Sequence, residues 1–488
     1  MDDLIKVGLD FGTHQTKICI QRTPDEGHGE PNYEFFQFTD LKGEKQYFLP
    51  SVVQVNDDDT LSYGYVNERR RKQNAEPPAA EHVDLEEEFD IADKAVQLYD
   101  KYANASNNPK DIDILGEALT IHLNRIKARN KNKKLEAEKR YQKKLQEYKE
   151  ARYIFRYFKQ ATFSNGGWHL KTPFSNRILC IWYLAYVIFL LEEEFGSAFS
   201  INMGIPADEA SYMSKKRLAV EILASAYYLV ENVYQNNIDK FLNEKVDVLL
   251  AKTVQRPYSD ELKEEYLMNI FPEAYASLIA LTSRGKLPTG MMSLTADIGG
   301  GTTDISFFII EDGIPLIYKY WSLPYGLNYV AEESGFDYAD GNFEMRANPT
   351  VVSTFNNEKQ NLVFNLTKDL ARKIRNETSI PVQNLRDALK NRILVYSGGG
   401  STYSFLTKPI STFTDVRVID SKIWNEENVK DKKTVSQLSE LLTTAYGLSV
   451  SDEDNKVILK SYSTLFSHLA DQSKNRDYDI KDISKDVC

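Results

Sequence analysis

Leu294-Thr295-Ala296-Asp297-Ile298-Gly299-Gly300-Gly301-Thr302-Thr303-Asp304-Ile305-Ser306-Phe307-Phe308 is the stretch on which the reading of this chain turns. An apolar strand runs into a carboxylate, then a triple-glycine turn with hydroxyls, a second carboxylate and a second apolar strand. Only glycine lets successive backbone N–H groups of a tight hairpin approach an anion without a Cβ in the way, and the hydroxyls of Thr302 and Thr303 add donors. Asp297 beside such a nest is wasted on an anion unless a cation stands between them. Mg²⁺ with a polyphosphate is therefore the economical ligand. For this stretch alone, a hairpin that merely turns the chain is the competing reading.

Outward from that stretch, the same order recurs at the N-terminus in Ile5-Lys6-Val7-Gly8-Leu9-Asp10-Phe11-Gly12-Thr13-His14-Gln15-Thr16-Lys17-Ile18-Cys19-Ile20. Two phosphate-type hairpins far apart in one chain imply two similar lobes facing one nucleotide. A third glycine turn, Gly398-Gly399-Gly400-Ser401-Thr402, follows the apolar run Ile393 to Tyr396 and is the third expected contact.

This set resembles the actin-like ATPase superfamily, which includes actin, its bacterial homologues, DnaK-type heat-shock chaperones and sugar kinases. The wording is most similar to the nucleotide-binding part of DnaK-type chaperones, whose phosphate-2 and adenosine motifs resemble Asp297 to Thr302 and Gly399 to Thr402. Further resemblances come in order: Leu49-Pro50-Ser51-Val52-Val53, Met203-Gly204-Ile205-Pro206-Ala207, Phe271-Pro272-Glu273-Ala274-Tyr275 and Ala445-Tyr446-Gly447-Leu448-Ser449. The last two are similar to the family's connecting helices, the first of which carries its catalytic Glu. The resemblance implies an α/β fold of two actin-like lobes, each ribonuclease-H-like, with a long helical insertion in the first. Lobe I is expected over 1–292 plus 435–450 with the insertion at about 70–165, lobe II over 293–434, and a polar tail over 451–488.

The 488 residues are 42% hydrophobic and 27% charged, as a globular protein of two or more lobes requires. With a net charge of -11 and a pI of about 5.3, bulk electrostatics favours neither nucleic acid nor membrane. Cys19, Cys180 and Cys488 are scattered, which fits a reducing cytoplasm rather than a disulfide framework or zinc site. The longest apolar run, Ile178 to Leu191, is shorter than the roughly 18 to 20 residues of a membrane span and reads as a buried helix.

In the insertion, Leu135, Tyr141, Leu145, Tyr148 and Phe155 form an apolar stripe on a charged helix, read as a hairpin or short coiled coil. From Lys127 to Glu150 basic residues outnumber acidic ones on an otherwise acidic chain. That segment is either a solvated face or a docking arm for an acidic partner, protein in preference to nucleic acid. Tyr234 to Tyr266 is longer than the family pattern and reads as a second, smaller insertion.

The resemblance also assigns chemistry, carried over motif by motif. Asp10 and Asp297 would hold Mg²⁺ largely through its waters. Backbone N–H groups of Gly12, Thr13, Gly299, Gly300, Gly301 and Thr302 would cradle the phosphates of ATP or ADP. Glu273 would orient the attacking water, with Lys159 a catalytic cation and Lys17 standing where actin carries a phosphate-contacting lysine. Gly399, Gly400 and Ser401 would meet the adenosine, as would Arg372 and Lys373 unless they belong to a solvated helix face. Leu441 stands where chaperones carry an acidic residue.

The 38 residues after Val450 read as a polar tail rather than as the peptide-binding domain and lid of DnaK-type chaperones, so client-peptide binding is not expected of them. The leading expectation is a slow Mg²⁺-dependent ATPase switch that signals to a partner through its helical arm. The alternatives are a filament-forming actin-like ATPase and a small-molecule kinase of the same superfamily.

Overall fold

The computed structural model describes residues 4–24, 30–66, 124–141, 154–163, 174–283, 292–311, 314–377, 392–410, 413–419 and 429–451, with 96–97, 100–101, 117–118, 120–121, 287, 290 and 458–459. It is a mixed α/β protein with several sheets, two of them six-stranded.

The first large sheet contains β1 (Leu4–Phe11), β2 (Gln15–Thr23), β3 (Asn32–Phe35), β4 (Phe199–Ile205) and β5 (Met268–Pro272), in the spatial order β5-β4-β1-β2-β3, with Leu49–Pro50 added beside β2. The second contains β6 (Ser293–Ile298), β7 (Thr303–Glu311), β8 (Ile314–Leu323), β9 (Ile393–Ser397) and β10 (Asp415–Val418), in the order β10-β9-β6-β7-β8. Their pairing is the same. In each, the first strand forms an antiparallel hairpin with the second, the second pairs antiparallel with the third, and the first and fourth and the fourth and fifth run parallel. Burial explains the residues used: Val7, Leu9 and Phe11 of β1 and the whole run Ile305 to Ile310 of β7 are enclosed, as in strands covered on both faces.

The helices include α1 (Phe158–Phe163), α2 (Asn176–Phe195), α3 (Tyr212–Tyr228), α4 (Glu273–Ser283), α5 (Leu327–Glu333), α6 (Pro349–Glu377) and α7 (Ser439–Val450). α2 is apolar nearly all round because it is core, with Ser175 Oγ accepting from the Ile178 N–H at its start and Gly196 at φ 70° ending it. No helix among the described residues is long and apolar enough to cross a membrane. α4 and α7 bind the halves together, α4 packing on β7 and β8 and α7 on β1 and β2. Their approach depends on glycine. A Cβ on Gly8 would lie 2.2 Å from the Ala445 carbonyl oxygen, and one on Gly447 would lie 1.8 Å from that of Ala276.

Three expectations change in detail. The separate unit spans Arg71–Ile154 rather than about 70–165, because Phe155, Phe158 and Phe163 are core residues of the larger unit. Tyr234 to Tyr266, read as a smaller insertion, packs into the body of the molecule: its short helices put Tyr234, Phe241, Val246, Leu249, Leu262 and Tyr266 into the first core. Ile458–Leu459, expected in the tail, pair parallel with β8.

Within the smaller unit, residues 124–141 are helical, and the buried positions are Ile126, Asn130 and Ala137. The stripe read through Leu135 is corrected, since Leu135 is 55% exposed. Leu145 and Tyr148 lie outside the described residues.

Candidate functional site

The two hairpin turns face one another across a cavity of about 240 Å³. Asp10 is the penultimate residue of β1 and Asp297 the penultimate residue of β6, so the matching sheets deliver matching carboxylates to it. Hairpin register fixes their neighbours: Lys17 stands opposite Asp10, and Asp304 opposite Asp297. Lys17 Nζ lies 2.8 Å from Asp10 Oδ2. Asp297 Oδ2 accepts from Ser277 Oγ of α4 and Thr444 Oγ1 of α7, both at 2.8 Å, so the two crossing helices hold this carboxylate together. Glu273, the first residue of α4, meets Lys159 of α1 in an almost fully buried ion pair.

The enclosed carboxylates are not ordinary acids. Burial pushes Glu273 upward, opposed by Lys159 and reinforced by Asp10. Asp297 is likewise raised by burial in spite of its two hydroxyl donors. Asp304 is pushed well above the carboxylate range, by burial first and then by Glu273; Thr302 Oγ1 donates to its Oδ2 at 2.9 Å, while its buried Oδ1 has no hydrogen-bond partner. Burial would lower Lys17, but Asp10 holds it above its ordinary value.

Polar side chains close one flank. His14, at the turn after β1, stacks on Tyr338 with centroids 4.2 Å apart and hydrogen-bonds Asn328 Oδ1 through Nε2. Burial pushes the His14 imidazole down to about 4, so at neutral pH it is an uncharged donor to Asn328. Asn328 Nδ2 donates to Gln160 Oε1 at 2.9 Å, and Gln160 Nε2 donates to the Gly301 carbonyl at 3.4 Å. This chain of bonds runs from one glycine hairpin to the other.

No protein-family model matches this chain, and no curated protein matches it either. Geometry and chemistry alone therefore carry the reading of the cavity.

Of the residues singled out in the sequence, Asp10, Gly12, Thr13, Lys17, Lys159, Glu273, Asp297, Gly299, Gly300, Thr302 and Gly399 line the cavity. Gly301 lies behind the lining, where a Cβ would meet Gln160 and Thr13 at 2.8 Å. Gly400 and Ser401 are buried in the third turn, and Ser401 Oγ donates back to the Gly398 carbonyl at 2.7 Å. Arg372 is not at the cavity: it is exposed on α6 and pairs with Asp369 one turn earlier on the same helix. The side chain of Lys373 lies outside the described residues.

Residue types and spacing alone assign no role to His14, Asp304, Ser277 or Thr444. The signals are present for some: Ser277 lies four residues after Glu273, on the same helix face, and Asp304 is the second carboxylate of the opening stretch. Nothing local distinguishes His14, whose role comes entirely from Asn328 and Tyr338.

Proposed function

We propose that the chain binds ATP with Mg²⁺ between its two glycine hairpins and hydrolyses it slowly, as a two-lobed switch of the actin-like type closest to the ATPase part of DnaK-type chaperones. One observation carries this reading. Two sheets of identical pairing present an Asp at the same strand position and a glycine turn at the same place, both facing one cavity.

The donor set fits the ion. Hard carboxylate oxygens suit Mg²⁺, an ion that keeps several of its waters. Asp10 and Asp297 would hold it. Bound there, Mg²⁺ would neutralise charge on the polyphosphate.

The side chains supply the rest. Backbone N–H groups at Gly12, Thr13, Gly300 and Thr302 receive phosphate oxygens. Lys17, now on Asp10, turns its ammonium to the same anion. Glu273 carries a proton affinity raised by burial, so it takes a proton from a water more readily than an exposed carboxylate. Lys159 fixes that carboxylate in place. The basic helix at 124–141 is the proposed element through which nucleotide state reaches an acidic partner protein.

The test is Mg²⁺-dependent phosphate release from ATP across a wide range of protein concentration, with Glu273→Gln in parallel. A rate per protomer that is independent of concentration and falls by about 100-fold or more in the variant supports the proposal. A steep rise above a threshold concentration instead makes assembly the driver, as in a filament. No ATP binding at any Mg²⁺ concentration removes the reading altogether.

A further inference from the structure

The cavity is chemically two-sided. Its charged lining residues, Asp10, Lys17, Lys159, Glu273, Asp297 and Asp304, come from the two hairpins and from α1 and α4. Uncharged groups of the same hairpins, His14 and Gln15 among them, line it too, and a further stretch of wall is made by the third glycine turn with Leu327, Tyr338, Tyr403 and Leu441. Around Gly399 the surface is aliphatic: measured from where its Cβ would stand, Leu441 Cδ2 is 3.6 Å away and Leu327 Cδ1 is 3.7 Å away.

The hydroxyls on this side are turned onto the protein. Thr402 Oγ1 donates to the Gly399 carbonyl and Ser401 Oγ to the Gly398 carbonyl, both at 2.7 Å. Thr444, one turn after Leu441 on α7, donates to Asp297. Arg372 is committed elsewhere.

We propose that the site accepts nucleoside triphosphates as a class, gripping the polyphosphate and holding sugar and base by shape and apolar contact, with Leu441 the residue that sets this low selectivity. The proposal rests on the reading of the charged half given above. The physical ground is asymmetric discrimination. A pocket that hydrogen-bonds a ligand hydroxyl rejects the analogue lacking it by roughly 10⁴-fold, whereas an apolar wall separates close analogues only weakly. A leucine beside the third turn gains nothing from a ribose hydroxyl, and a glycine turn with aliphatic neighbours offers a flat surface to any base.

Competition binding with Mg²⁺ present decides the matter, using ATP, 2′-deoxy-ATP, GTP, UTP, tripolyphosphate and adenosine against the intact chain. The expected result is that the four triphosphates bind within about tenfold of one another, tripolyphosphate retains much of the affinity, and adenosine binds at least about 100-fold more weakly. Leu441→Glu, at a half-buried position, is expected to raise the preference for ATP over its 2′-deoxy form by about tenfold or more, by supplying an acceptor for ribose. Leu441→Gln tests the same point without added charge.

ATP preferred by more than about tenfold over 2′-deoxy-ATP, GTP or UTP in the unmodified protein overturns the inference and leaves the phosphate site standing. Failure of every triphosphate and of tripolyphosphate to bind overturns the reading of the cavity itself.

Discussion

At the scale of single residues, Gly398 shows why a glycine turn is recognisable from residue types alone. Its φ is +79°, and a Cβ there would lie 2.1 Å from Asp297 Oδ1 and 2.7 Å from the Ile298 carbonyl oxygen. Gly398→Ala therefore combines backbone strain with displacement of a site carboxylate. Gly43 is a matched control, since it has φ +83° and nothing within 4 Å of a Cβ. Gly43→Ala is expected to cost about 1–2 kcal/mol of stability, and Gly398→Ala about 3 kcal/mol or more together with loss of triphosphate binding. Urea denaturation and binding measurements on both variants check this; equal costs with binding intact would show that the turn can shift away from Asp297. The same logic makes Asp10, Asp297 and Glu273 legible, because each follows an apolar strand and precedes a glycine turn or opens a helix. His14 and Asp304 are not legible as site residues. Their states depend on burial and on partners 314 residues away for His14 and on Glu273 for Asp304.

At the scale of elements, α2 combines a legible property with a hidden one. Its apolar run correctly marks a buried helix, yet the helix ends in Glu192, Glu193 and Glu194, where the macrodipole disfavours negative charge. Glu192 is only 9% exposed and neither of its carboxylate oxygens has a hydrogen-bond partner. Burial, and then Glu231, pushes it up to about 7. The folded state thus holds this proton more tightly than the unfolded chain does. The contribution to stability is present in full below the ordinary carboxylate range and is lost as pH rises toward and past 7. Glu192→Gln is expected to raise stability by no more than about 1 kcal/mol near pH 5 and by up to about 3 kcal/mol at pH 8. Urea midpoints of both proteins at the two pH values give the answer, and an equal gain at both would mean that packing rather than charge is responsible. α6 shows the opposite limit of sequence reading. Its apolar repeat is visible, but among the described side chains the buried positions are Phe355, Asn356, Lys359, Val363 and Leu366, so a lysine and an asparagine share the buried face, and Arg372 is exposed. Lys359 is recognisable only once Nζ is seen donating to the Leu406 carbonyl and facing the rings of Phe355 and Tyr396.

At the scale of the whole molecule, duplication is readable because two hairpins repeat one order of residue types, whereas the contacts that join the two sheets are not. α4 and α7 pack against each other through a glycine, and so they fix one side of the cavity. The other side is joined by smaller contacts: His14 with Asn328 and Tyr338, and Gln160 with Asn328. The helix pair encloses a large apolar cluster, while the other link is a short chain of side-chain hydrogen bonds, so opening is expected to break the polar side first and pivot on the helices. His14→Ala combined with Asn328→Ala removes the chain of bonds between the hairpins without touching a carboxylate. The radius of gyration of the ligand-free double variant should rise, and amide exchange at Gly299 to Thr303 and Leu327 to Glu333 should quicken by about tenfold or more. Exchange in β1 and β6 should stay as it was. Saturating ATP should slow the same amides again, because a polyphosphate gripped by both hairpins replaces the missing link. Exchange that quickens equally throughout both sheets would mean that these polar contacts hold up the fold as a whole, and that the molecule has no separate opening motion for a nucleotide to control.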